Sequence, residues 1–330
     1  MIKDFKRILF ERGIKIKDPN RVHLAIVNEP FLSYIENGEK TIESRFTKNR
    51  ITPYRNIQSG DAVFMKEAGR PVQSFFTAKD SQFFENNPEI FEYIKRNFAE
   101  QICARDESFW EIRKDKNYIS LVGVDSVEKI DDLKVDKKDK RAWLTFENAY
   151  KNILLTSCKI GSGKTYVAQQ LAQMFQYDQA SFSSYIRYKS EKMGLELTRE
   201  NMQKIGHDTV ENDLDSYIYF MLNCAVDKKS DTLILDGLRN TKVLDSIRQE
   251  NKGTRVIYVE CDETLRQQQL TNRDGSFNPQ SDAHETEQEM ERLKKLADVV
   301  VKNTDDPKEI NRRINQSSGG QISLFDVADL

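Results

Sequence analysis

The hydrophobic positions of this chain follow two rhythms that change near residue 149. Before that point, short runs rich in β-branched and aromatic residues stand at Val22–Val27, Thr41–Arg45, Ala62–Lys66, Val72–Thr77 and Tyr118–Val124. Turn signals such as Ser59-Gly60-Asp61 and Gly69-Arg70-Pro71 separate them, a pattern that predicts strands joined by tight connections. One helix is expected over Asn87–Ala99, where Ile90, Phe91, Ile94 and Phe98 recur at helical spacing. Ahead of the strands, Phe5, Ile8, Leu9 and Phe10 crowd one side of a short helix, and a turn is expected at Asp18-Pro19-Asn20.

From Asn152 onward, strands alternate with helices. The strands are expected at Ile153–Thr156, Thr232–Leu235, Val256–Val259 and Val299–Val301. The helices are expected at Lys164–Phe175, Phe182–Met193, Leu214–Val226, Glu263–Arg273 and Glu285–Leu296. Such alternation implies an α/β domain, a parallel sheet with helices on both faces. The chain is thus divided into a lead segment (1–20), a small α+β domain (21–149), the α/β domain (150–316) and a tail (317–330) that opens on Ser-Ser-Gly-Gly.

Composition narrows the setting. The 330 residues suffice for two cores that need no staple. The four cysteines are scattered without CxxC pairs, which argues against a zinc site and for a reducing, cytoplasmic compartment. No apolar run approaches a membrane span. A formal net charge of −2 disfavours non-specific duplex binding by bulk electrostatics, though it leaves a local basic groove open.

The densest chemistry lies between the first strand and first helix of the α/β domain. Cys158-Lys-Ile-Gly161-Ser162-Gly163-Lys164-Thr165 fits the Walker A template except at Cys158, which replaces the usual glycine. Glycines let successive N–H groups wrap a β-phosphate, and the helix N-terminus adds partial positive charge. Lys164 would reach the β- and γ-phosphates of ATP, and Thr165 would hold Mg²⁺.

With these motifs the segment from Ile153 to Asn303 resembles the nucleoside-monophosphate-kinase branch of P-loop proteins, especially phage-type deoxynucleoside monophosphate kinases and dephospho-coenzyme A kinases. Leu235-Asp236-Gly237-Leu238-Arg239-Asn240 is similar to the family's strand-ending Asp-Gly-x-Arg segment. The resemblance places Asp236 near Mg²⁺ and Arg239 on the acceptor's phosphate. It makes Arg266 and Arg273, on one face of a helix, the border of a lid spanning Asp274–Asp282. It gives Arg187 and Arg199 to the acceptor, and it likens Ala297–Asn303 to a closing strand whose loop touches adenine. The sequence departs from the family after Gly206, where an acidic stretch stands in place of a common arginine.

In the first domain, Asn37–Arg45 followed by Ile57–Phe64 is similar to the ASCH family, relatives of PUA β-barrels. The resemblance implies a cleft for a nucleobase or RNA, with Lys40, Glu43 and Arg45 as ligand contacts. Some members hydrolyse acetylated cytidine with a threonine three residues after the lysine. Glu43 occupies that position here and speaks against hydrolysis. In the tail, Gln321-Ile322-Ser323-Leu324-Phe325 resembles the short motif by which bacterial DNA-processing proteins bind the sliding clamp, with Gln321, Leu324 and Phe325 as its contacts.

The leading expectation is a kinase that moves phosphate from ATP to a nucleoside or deoxynucleoside monophosphate. Two alternatives stand beside it. One is a kinase acting on a modified base in DNA, recruited through a clamp. The other is a nucleotide-regulated nucleic-acid-binding switch with little turnover.

Overall fold

A computed structural model describes residues 2–14, 21–135, 141–147, 149–274 and 284–317. The chain separates into two compact units, Met1–Asn148 and Ala149–Leu330.

The first unit runs α1 (Ile2–Glu11), β1 (Arg21–Ile26), α2 (Phe31–Glu36), β2 (Ile42–Thr47), β3 (Ala62–Lys66), β4 (Val72–Glu85), α3 (Pro88–Ile102), α4 (Glu107–Glu111), β5 (Tyr118–Leu133) and β6 (Trp143–Glu147). Its strands are ordered β2-β5-β4-β3-β1-β6, with β1 and β3 parallel and the other pairs antiparallel. Alternation along each strand sorts side chains to two faces. Val22, Leu24, Ala62 and Phe64 pack with Phe5 and Leu9 of α1, so the lead helix belongs to this core. Ala25, Val63 and Met65 turn the other way, onto Leu32 and Ile35 of α2. A third cluster fixes α3 and α4 through Phe91, Ile94 and Trp110 over Ile119 and Leu121.

A buried polar chain links β6, β1 and the turn before β3. His23 Nδ1 accepts from Trp143 Nε1 at 3.2 Å, and His23 Nε2 lies 3.1 Å from Asp61 Oδ2. Nε2 is therefore the donor to Asp61, which also accepts from the Gln58 N–H at 2.8 Å and pairs with Arg21 at 3.0 Å. Such a chain is stable only because each member finds a partner.

Strands β4 and β5 run well past Thr77 and Val124, where the hydrophobic pattern alone would end them. Each distal half pairs with the buried first half of the other strand, and Phe83, Phe84, Val127, Ile130 and Leu133 pack partly buried against the cores.

The second unit runs β7 (Asn152–Ser157), α5 (Lys164–Phe175), β8 (Asp178–Ser181), α6 (Ser183–Lys192), α7 (Arg199–Asn212), α8 (Leu214–Asn223), β9 (Thr232–Leu238), α9 (Thr241–Glu250), β10 (Thr254–Glu260), α10 (Glu263–Asp274), α11 (His284–Lys295), β11 (Val299–Lys302) and α12 (Pro307–Ser317). All pairings in the sheet β11-β10-β7-β9-β8 are parallel. Leu154, Ile234 and Ile257 pack on one face against Val167 and Leu171 of α5 and Ile310 and Ile314 of α12. Their strand neighbours Ile153, Leu155, Leu233 and Leu235 point to the opposite face, where α9 and α11 contribute buried Val243, Leu244, Met290 and Leu293. The fold class is therefore the expected one, a parallel sheet with helices on both faces. Among the described residues, no helix is long and apolar enough to cross a membrane.

Candidate active site

Strand β7 is central in its sheet, and the chain leaves its C-terminal end directly into the phosphate loop. In open parallel sheets ligands bind at this edge, where neighbouring connections diverge. Gly161 and Gly163 take φ of +88° and +84°, which an L side chain adopts only under strain. A Cβ on Gly163 would also lie 3.0 Å from the side-chain nitrogen of Asn303, which follows β11 against the loop. Helix α5 starts at Lys164 with no side-chain cap, leaving its first N–H groups to a ligand. Cys158 is buried in the sheet core, and that burial pushes its thiol up. The charges of Lys164 and Arg239 and the N–H groups of Lys164 and Ser162 oppose the shift, so all of these groups lie close around the loop's first residue.

The strand register brings the acidic partner in. Thr156 of β7 sits opposite Asp236 of β9, and Ser181 of β8 is on its other side. Thr156 Oγ1 donates to Asp236 Oδ1 at 2.8 Å, and Thr165 Oγ1 donates to Asp236 Oδ2 at 2.7 Å. One buried carboxylate thus ties the strand before the loop to the helix after it. The backbone of Asp236 accepts from Phe182 N at 3.0 Å, which fixes the start of α6 beside the same point. Thr165 Oγ1 and Asp236 Oδ2 are adjacent hard oxygens, a donor set that suits Mg²⁺ shared with phosphates. Among the described residues, no three His, Cys, Asp or Glu gather into a metal cage.

The remaining expected residues divide. Arg266 of α10 is buried, with Nε and Nη2 on Glu263 and Nη1 donating to the Ile160 carbonyl at 3.0 Å. Its Nη1 thus ties α10 to the backbone of the phosphate loop. Arg239 is exposed just past β9, within electrostatic reach of Cys158. Arg187 on α6 and Arg199 opening α7 are exposed, and no hydrogen bond or ion pair among the described residues ties either to the loop. Arg273 closes α10, but its side chain lies outside the described residues, as do the lid residues 275–282 and Gln321, Leu324 and Phe325 of the tail. Sequence reasoning missed the Arg266–Ile160 tie and the part of Thr156; the only signal for the latter is a polar residue inside an apolar strand.

In the first unit, Lys40, Glu43 and Arg45 do come together. Glu43 Oε1 lies 2.8 Å from Arg45 Nε and Glu43 Oε2 lies 3.5 Å from Lys40 Nζ. Lys40 Nζ donates to the Ile102 carbonyl at 2.8 Å, and Arg45 Nη2 to the Ile26 carbonyl at 2.8 Å. Burial pushes the Lys40 ammonium below its ordinary range, with the Glu43 charge opposing.

A family model described as an AAA domain matches residues 160–289. A gluconokinase from Sinorhizobium meliloti 1021 is 14% identical, with 51% of this chain and 92% of that one covered, at a TM-score of 0.31. Shikimate kinase from Aquifex aeolicus is 14% identical over 50% of this chain and 95% of its own, at a TM-score of 0.32. An ASCH protein from Zymomonas mobilis is 12% identical over 34% of this chain and 73% of its own, at a TM-score of 0.29. No curated protein matches the chain in sequence. The glycine-rich loop, the parallel strand order and the AAA-domain match over residues 160–289 agree on a P-loop α/β arrangement for the second unit, and a small α+β unit precedes it.

Proposed function

We propose that this protein is an ATP-dependent phosphotransferase of the nucleoside or deoxynucleoside monophosphate kinase type, whose first unit recognises a nucleobase or nucleic acid. The carrying observation is the 2.7 Å contact between Thr165 Oγ1 and Asp236 Oδ2 at the mouth of the loop that bears Lys164. Mg²⁺, held by these two side chains, would neutralise charge on the β- and γ-phosphates when bound. The loop N–H groups and Lys164 bind and orient the donor phosphates, while Arg239 offers a cation to the acceptor. The acceptor oxygen bonds to the γ-phosphorus as the bond to the ADP oxygen breaks. This transfer is promoted mainly by positioning and by cations already in place.

Two acidic residues of the stretch after Gly206 have local partners. Glu211 accepts from Lys242 through both oxygens at 2.8 Å, and Asp213 accepts from Lys189 at 2.9 Å and from the Tyr185 hydroxyl at 2.8 Å. Local partners thus compensate two of its charges. The test is transfer of labelled phosphate from ATP with Mg²⁺ to nucleoside monophosphates, dephospho-coenzyme A, and DNA carrying hydroxymethylated pyrimidines. Labelling of a monophosphate supports the proposal. Labelling of DNA alone would move the acceptor to a modified base and give the Gln321–Phe325 tail its clamp-recruiting part. Binding of ATP with no transfer at all would leave a switch.

A further inference from the structure

The Lys40–Glu43–Arg45 group has a fourth charged neighbour that its sequence motif does not announce. Arg113 follows α4, donates from Nη1 to the Phe109 carbonyl at 2.8 Å and lies 3.7 Å from the centre of the Phe109 ring. It is half-buried, which pushes its guanidinium down; the Glu43 charge opposes that and the Arg45 charge adds to it, so both lie within reach. Each cation in the group is backed by an aromatic ring. Lys40 stands 5.2 Å from the centre of the Phe31 ring, and Arg45 stands 5.2 Å from that of Trp143. Phe31 and Phe109 touch at 5.8 Å between centroids.

The charges of this group do not balance. Glu43 is its single carboxylate, set against two guanidiniums and the Lys40 ammonium. Even with Lys40 uncharged, Arg45 and Arg113 outnumber it. Arginines keep their protons when desolvated, so a half-buried pair of them raises a need for negative charge. The hydrogen bonding is incomplete as well. Arg45 Nε has no aligned acceptor, although Glu43 Oε1 is 2.8 Å away. Neighbouring guanidinium forks match a tetrahedral oxyanion better than they match a neutral ring edge.

We infer that this group takes the phosphate of a nucleoside phosphate, with Arg113 and Arg45 holding it while Glu43 stays engaged by Arg45 and Lys40. The inference rests on the reading of the cleft as a nucleobase site and adds the charge class of its ligand and the part of Arg113. The phosphate has two sources, a free nucleotide or the backbone of a strand.

The molecule carries its own probe. Its only tryptophans, Trp110 and Trp143, both lie in the first unit, in contact with Phe109 and under Arg45 respectively. Tryptophan fluorescence of the full chain therefore reports on the surroundings of this group. The experiment titrates cytidine, uridine, adenosine and guanosine, their 5′-monophosphates, and a short single-stranded oligonucleotide of each base. For at least one base, the phosphate form should bind about tenfold or more tighter than the nucleoside, with an advantage that shrinks as salt rises. Arg113→Gln should reduce that ratio to about twofold or less while leaving nucleoside binding in place, and Arg113→Lys should keep part of it. A tighter oligonucleotide than mononucleotide assigns the phosphate to a strand; the reverse assigns it to a free nucleotide. Equal binding of nucleoside and nucleotide by the unaltered protein overturns the anion assignment and spares the nucleobase reading. No fluorescence change with any ligand overturns both. Neither result touches the phosphotransferase reading, which the labelled-ATP assay tests separately.

Discussion

Arg266 Nη1 donates to the carbonyl oxygen of Ile160, 3.0 Å away, so a helix more than a hundred residues downstream grips the phosphate loop by its backbone. The same guanidinium donates from Nε and Nη2 to the carboxylate of Glu263. Arg266→Met frees the loop and should lower kcat/KM for ATP by about ten- to a hundred-fold, the scale of loss that follows misplacement of a reacting group. Arg266→Lys keeps the charge but not the fork and should recover only part of it. Steady-state kinetics decide the matter, and unchanged values for Arg266→Met would remove the residue from the donor site.

Lys164→Ala should abolish transfer, with a fall in kcat of about a thousandfold or more, because it removes the loop's lysine from the β- and γ-phosphates. Asp236→Asn keeps the shape and loses the charge. It should raise the Mg²⁺ concentration needed for half-maximal rate by about ten- to a hundred-fold. A metal titration of that variant reads the shift directly, and a curve that overlays the parent's would show that Asp236 holds no ion.

Gly163 is constrained twice, by its positive φ of +84° and by Asn303 at its back. Gly163→Ala should cost about 1–2 kcal/mol for the backbone alone and weaken ATP binding with it. Pairing it with Asn303→Ala relieves the steric part only. A double-mutant cycle on ATP affinity should therefore return a coupling of at least about 0.5 kcal/mol, and additivity would mean that Asn303 does not confine the loop.

Asp61 makes the first unit acid-sensitive. Burial alone would raise its carboxyl, but the His23 hydrogen bond, the Gln58 N–H and the Arg21 charge outweigh it and hold the group below the ordinary carboxylate range. A carboxyl depressed by folding stabilises the fold above its unfolded pKa, and that contribution is lost as pH falls through the lower, folded value. Melting of the parent should therefore fall more steeply below about pH 4 than that of Asp61→Asn. Parallel slopes would refute the link. At neutral pH, Asp61→Ala should cost about 3–5 kcal/mol, since it strands Arg21 and the His23 N–H.

What the sequence disclosed follows how local each feature is. Helix α5 spans Lys164–Phe175 as its periodicity implies, because glycines start it and an apolar face defines it. Strand β8 went unread: Asp178-Gln-Ala-Ser181 carries no apolar pattern and exists through its parallel pairing with β9. Helix α12 was hidden for a similar reason, with only Ile310 and Ile314 of its eleven residues buried. The glycine-rich loop was legible because Gly161, Gly163, Lys164 and Thr165 sit in one contiguous motif. The Arg266–Ile160 bond and the approach of Arg113 to Glu43 were not, because each joins residues whose proximity is decided by the packing of separate elements.

The order of strands also sets a timetable for synthesis. In the first unit, β1 is flanked by β3 and by β6, so Trp143–Glu147 completes its sheet before any of the phosphate loop has been made. In the second unit the central strand β7 is made first and acquires its neighbours β9 and β10 only some eighty to a hundred residues later. On the ribosome, the first unit can emerge finished while β7, with its apolar run Ile153–Leu155, waits unpaired. Delay at that stage leaves Ile153–Leu155 exposed to solvent, which makes this strand a point of vulnerability to aggregation in a growing chain.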